Sequence, residues 1–220
     1  MRRSMMKMLL PALTMLGGLC IASNASAAPS VRPGSQPALG DVQIAPTPGG
    51  AGQPSTGSAP KAPAGRHCVV DLSHDNAMTC HGSFAEAIAD ATGGRITNAP
   101  GKPGDALRDP RFNAAIEDAG RRDGQYVTSI EFVDGNFGGQ SVAFSTDHAC
   151  TGPTSDVDYE YPNLHAIGWG DLISSYRTYS GCWVSHFEHT TFGGTSTGYQ
   201  STRNYIGNAM NDLTSSLRWS

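Results

Sequence analysis

The hydrophobic pattern of the chain changes character three times. Met8 to Ile21 is an apolar run, and Ala28 to Gly65 has no period at all. From Arg66 apolar residues recur four apart. From Gln125 to Ser220 short β-branched and aromatic runs alternate with Gly, Asn, Asp and Ser turns. In the third stretch Cys68-Val69-Val70-Asp71-Leu72 predicts a strand. Ser83 with Glu86 three residues on has capping-box spacing, Phe84 and Ile88 share a face, and Gly93-Gly94 ends the helix. A second helix is predicted with Asp109 as N-cap, Pro110 at the first position, Phe112 and Ile116 on one face and Gly120 at the end. Beyond Gln125, strands are predicted at Tyr126–Val133, Ser141–Phe144, Ser175–Tyr179, Cys182–Glu188, Ser196–Tyr199 and Thr214–Trp219.

Two of these elements occur twice and in the same order. Phe132-Val133-Asp134-Gly135-Asn136-Phe137-Gly138-Gly139 matches Phe187-Glu188-His189-Thr190-Thr191-Phe192-Gly193-Gly194, an aromatic, four residues, an aromatic, one residue and a glycine. Gly170-Asp171-Leu172-Ile173-Ser174-Ser175 matches Asn211-Asp212-Leu213-Thr214-Ser215-Ser216. A repeat of roughly fifty residues built from such runs is one supersecondary unit duplicated so that two copies share a core. Gly139 and Gly194 supply a backbone able to take φ > 0 where a hairpin folds over, with the first aromatic against it; Phe132, Phe137, Phe187 and Phe192 are expected to pack as core or corner residues. Phe137 to Asp171 spans 34 positions and Phe192 to Asp212 spans 20, so the first copy carries an insertion that includes Cys150 and the acidic run Asp156 to Tyr161.

Composition places these elements in a compartment. Arg2, Arg3 and Lys7, the apolar run and Ala25-Ser26-Ala27 read as a signal peptide over 1–27, and a secreted product is expected. Its removal takes the formal charge from −4 to −7, which recruits neither nucleic acid nor an anionic membrane. Residues 28–65 hold eight of the fourteen prolines, three charges and no aromatic residue. That segment is read as a disordered Pro/Gly/Ser-rich linker, because it has too little apolar surface to offset its ordering entropy. Residues 66–124 are read as a small α-rich collar and 125–220 as an antiparallel β-sandwich. Cys68, Cys80, Cys150 and Cys182 predict two disulfides. Of three connectivities, Cys68–Cys80 and Cys150–Cys182 close the shortest loops, each contributing about 3 to 4 kcal/mol on the chain-entropy model.

At the repeated motifs the chain resembles the βγ-crystallin superfamily, with one Greek key over about 125–178 and a second over about 180–220. The second motif also resembles secreted actinobacterial proteins of the peptidase inhibitor family I36. The first resemblance implies an all-β double Greek-key domain and weak Ca²⁺ sites built from hard oxygen ligands. Carried over by position, the second segment supplies Asn211, Asp212, the carbonyl of Leu213 and Ser215. The first supplies Asp171, the carbonyl of Leu172 and Ser174, with Gly170 where an Asn or Asp is usual. Glu188 holds the acidic hairpin position, where the first copy has Val133. The second resemblance implies an extracellular protease as partner, met by a disulfide-held loop near Cys150 or Cys182.

Competing chemistry is thin. Gly194-Thr195-Ser196-Thr197-Gly198 matches a nucleophile motif but lacks a strand-to-helix elbow. His186 and His189, three apart on a strand, point to opposite faces and are expected at the surface. Trp169, Trp183 and Trp219 are expected in the core, the alternative being stacking platforms of a cell-wall or carbohydrate-binding protein. The reading is a monomeric, non-enzymatic, calcium-binding module.

Overall fold

The computed structural model describes residues 67–152 and 154–220; the signal peptide and linker expectations lie outside the described residues. Five strands form one sheet in the order β2-β1-β4-β3-β6 and three form a second in the order β5-β8-β7. The strands are β1 (His67–Asp71), β2 (Ala77–His81), β3 (Tyr126–Asp134), β4 (Gly138–Thr146), β5 (Tyr159–Tyr161), β6 (Ser175–Thr178), β7 (Val184–Phe187) and β8 (Ser216–Trp219).

The two halves exchange strands. β5 belongs to the first half yet pairs antiparallel with β8, Tyr159 opposite Trp219 and Tyr161 opposite Leu217. In return Arg203 of the second half bridges to Tyr176 on β6. Each sheet is therefore completed by the other copy of the repeat, and neither Greek key closes alone. The strand expected at Ser196–Tyr199 is reduced to isolated bridges, Phe187 with Ser196 and Val184 with Gln200.

Period-two alternation explains why the large sheet is buried on both faces. On β1, Val69 faces one apolar cluster while Cys68 and Val70 face the other. On β4, Ala143 faces the first while Val142 and Phe144 face the second. The first cluster joins Ile130 and Phe132 to helices α1 (Phe84–Ala91), α2 (Pro103–Arg108) and α3 (Pro110–Asp123). The second fills the space between the sheets with Trp169, Tyr176, Leu217 and Trp219.

The stretch before Gln125 is thus more than a helical collar. β1 lies parallel to β4, with Cys68 opposite Val142, and carries β2 with it, so the hairpin extends the sheet. Ser83 caps α1 in a complete capping box with Glu86. Asp109 caps α3, but that helix runs past Gly120 to Asp123 and ends on Gly124 in the left-handed conformation. Gly120 serves packing instead: a Cβ there would lie 2.5 Å from the Tyr126 ring. α2 gave little signal, since Lys102 at its N-cap makes no side-chain cap and only its proline marks the start. Cys68 is bonded to Cys80 across the β1–β2 pair and Cys150 to Cys182, the expected connectivity.

Candidate functional site

The duplicated hairpins set the site. In each, the chain turns through a short 3₁₀ element, Gly135–Phe137 or Thr190–Phe192, in which Asn136 and Phe137, or Thr191 and Phe192, adopt positive φ. Gly139 and Gly194 follow at φ 71° and 74°. A Cβ on Gly139 would lie 2.5 Å from Val133 Cγ2, so the residue after the aromatic covers the bare backbone. The aromatics meet each other edge-on, Phe132 with Phe137 at 5.8 Å and Phe187 with Phe192 at 5.7 Å. Helix α1 covers the first pair through Phe84, and the Arg218 guanidinium caps Phe192 at 3.8 Å.

The two Ser-Ser segments clasp these hairpins identically. The Ser174 amide donates to Phe132 O and the Ser215 amide to Phe187 O, both at 2.8 Å. The second serine of each pair bonds twice. Ser175 Oγ donates to Asp134 O and accepts from the Phe137 amide; Ser216 Oγ donates to His189 O and accepts from the Phe192 amide. Sequence reasoning took Ser-Ser as a closing signature and missed this clasp, whose only cue is that hairpin and Ser-Ser follow in the same order in both copies, 38 residues apart in the first and 24 in the second.

The aspartates cross over. The Asp171 amide donates to Thr214 O at 2.9 Å and the Asp212 amide to Ile173 O at 3.1 Å, placing the two segments side by side. Both aspartates take left-handed backbone, φ 58° and 56°. Ser174 Oγ donates to Asp212 Oδ1 at 3.1 Å and Ser215 Oγ donates to Asp171 Oδ1 at 3.2 Å. Each cluster therefore takes its carboxylate from one half and its hydroxyl from the other, whereas position-by-position transfer had grouped Asp212 with Ser215 and Asp171 with Ser174. Asn211 Nδ2 donates to Asp212 Oδ2 at 2.7 Å and fixes that carboxylate. Leu213 is exposed and Leu172 half-buried on the same segments.

Glu188 turns back on its own hairpin. The Thr195 amide, at 3.0 Å, and then the Thr195 hydroxyl hold its carboxyl below the usual carboxylate range. Among the described residues no three His, Cys, Asp or Glu side chains gather as a metal site. The Asp212–Ser174 pair offers hard oxygen atoms with one carboxylate, the donor type that Ca²⁺ takes, whereas the Asp171–Ser215 pair has the His165 imidazole beside its oxygen atoms.

His186 is the clearest departure from expectation. It is fully buried, its Nε2 3.1 Å from Glu131 Oε2. Glu131 Oε1 accepts the Ser129 hydroxyl, whose oxygen accepts Trp219 Nε1–H. β3 and β7 are thus linked by a polar chain through the inter-sheet core, in which Ser129 and Glu131 alternate with the apolar Ile130 and Phe132 along β3. His189 is exposed. Ser196 of the nucleophile-like motif sits in an antiparallel bridge with Phe187, not on a strand-to-helix elbow. Trp169 and Trp219 are in the core, and Trp183 is 47% exposed.

No protein-family model matches the chain, and no curated protein matches it. Among solved structures it is similar to a βγ-crystallin domain from Clostridium beijerinckii, at 25% identity over 42% of this chain and 95% of that one, with a TM-score of 0.34. A βγ-crystallin domain from Flavobacterium johnsoniae shares 26% identity over 42% of this chain and 93% of that one, with a TM-score of 0.32. The double Greek key itself is established by the exchanged strands and the twin hairpins of this chain, and the solved structures it is similar to are bacterial βγ-crystallin domains.

Proposed function

We propose that the chain is an extracellular, non-enzymatic βγ-crystallin-type module that binds Ca²⁺ at the seam of its two Greek keys and is stabilised by it. The carrying observation is the Asp212–Ser174 pair, a carboxylate and a hydroxyl from opposite halves 3.1 Å apart. Asp212 and Ser174 would hold the ion, with main-chain oxygen of the exposed Leu213 loop; when bound, it supplies positive charge between two segments otherwise joined by hydrogen bonds. Asn211 orients the Asp212 carboxylate toward this use. A single carboxylate implies affinity in the range of weak extracellular modules, about 10⁻⁴ to 10⁻³ M. The two disulfides and the leader-like N-terminus support an oxidising, extracellular setting.

At tenfold excess over Kd such a site adds about 1.4 kcal/mol by mass action. For a folded unit of this size that is a rise of about 3 to 6 °C in Tm. Melting the EDTA-stripped protein with and without 10 mM CaCl₂ tests this, with Asp212→Asn, which tolerates left-handed backbone, as control. A rise lost in the variant supports the reading; equal melting temperatures with and without Ca²⁺ reject it.

A second reading, inhibition of an extracellular peptidase, is favoured by one feature. The exposed segment after Cys150 is tied at its base by the Cys150–Cys182 bond, and Thr151 donates to Asp158 through both its amide and its hydroxyl. Val157 is 46% exposed on this braced loop. A loop already ordered enters a protease cleft with little further entropy loss.

A further inference from the structure

The two clusters at the seam are not equivalent, and the difference lies in one imidazole. Ahead of Asp171 the chain makes a 3₁₀ turn, Leu164–Ile167, closed by Gly168 in the left-handed conformation. The turn is fixed in place: the Leu164 amide donates to Ser215 O at 2.9 Å, the Trp169 amide returns to Leu164 O, and the Leu164 and Trp169 side chains are fully buried. His165 is thereby held directly over Gly170. A Cβ at Gly170 would lie 2.2 Å from His165 Nδ1 and 2.4 Å from its Cγ, so any side chain at that position excludes the ring.

From there His165 Nε2 reaches Ser215 Oγ at 2.9 Å and lies 3.9 Å from Asp171 Oδ2. Since the Ser215 hydroxyl donates to Asp171, its oxygen is the acceptor for the imidazole N–H. The ring thus engages the oxygen atoms that the Asp171–Ser215 cluster would present to an ion. At the other cluster, the position of Gly170 is taken by Asn211, whose amide steadies the Asp212 carboxylate without covering Ser174.

Resting on the calcium reading above, we infer that His165 closes the Asp171–Ser215 cluster to Ca²⁺ and substitutes for the ion as the link between the halves, so that the chain takes one Ca²⁺, at Asp212–Ser174. The glycine of the first segment is then the partner of this histidine, not a simple loss of a ligand. His165 is a positioning residue: it bridges the backbone of the first segment to a serine of the second.

Residue-resolved NMR of the EDTA-stripped protein titrated with CaCl₂ tests this, because weak sites are read separately. In the native sequence, amide shifts are expected to saturate around 211–213 and Ser174, with residues 170–172 unmoved, and Asp171→Asn should leave the titration unchanged. His165→Ala should add a second saturable set at 170–172 and Ser215. The side chain is 42% exposed, so truncation leaves the core in place. Gly170→Asn, which has no room for the ring, should produce the same second set by an independent route. Two sets already present in the native protein, or none gained in either variant, would overturn the inference while leaving calcium binding intact. No calcium-dependent shifts in any of these proteins would overturn both readings together.

Discussion

At the scale of single residues, the seam depends on a few side chains whose alternatives are costly. Asp171 and Asp212 both sit at φ near 57°, a region where a bulky side chain is strained and Asn or Asp is tolerated. That backbone turns each carboxylate toward the serine of the other half. Ser175 and Ser216 carry a different load, since each closes a folded hairpin with one donated and one accepted bond. Replacing either by Ala leaves the amide of Phe137 or Phe192 without its acceptor. The expected loss is about 1 to 3 kcal/mol, larger at Ser175 because Phe137 is buried and Phe192 is half-buried. Urea denaturation of the two variants measures it; negligible losses would show that the clasp is dispensable, and equal losses that burial of the orphaned amide does not set its cost.

At the scale of elements, what the sequence revealed and what it concealed follow from the reach of each signal. The α1 cap was legible because Ser83 and Glu86 act within three residues of each other, and the hairpins were legible because they occur twice. β2 and β5 were not: Ala77–His81 is held by pairing with β1, and Tyr159–Tyr161 by pairing with the distant β8. The crossing of the aspartates was likewise hidden, because Asp171 meets a serine 44 residues away and no local pattern says which. His186 misled for the same reason, its partner Glu131 lying on the opposite sheet 55 residues away. The Cys150 loop is the element on which the inhibitor reading stands. Inhibition of secreted serine and metalloproteases should be lost on Cys150→Ser/Cys182→Ser substitution while Asp212→Asn leaves it unchanged; a panel with no inhibition by the native protein removes that reading.

At the scale of the whole molecule, the exchange of strands and the crossing of the clusters have the same consequence. β5 completes the second sheet, Arg203 bridges to the first, and each Asp–Ser cluster spans the same seam. An ion at the seam therefore couples the two Greek keys instead of stabilising one of them. The three helices pack over the first pair of hairpin aromatics, Phe132 and Phe137, while the Arg218 guanidinium lies over Phe192 of the second.

Asp212 of one repeat and Ser174 of the other are the proposed ligands of the ion. Calorimetric titration of CaCl₂ into EDTA-stripped Ser174→Ala and Ser215→Ala, beside the native protein, tests this most directly. The crossed geometry predicts that Ser174→Ala weakens binding several-fold and that Ser215→Ala, in the same segment as Asp212, leaves the affinity unchanged; the reverse pattern would contradict it.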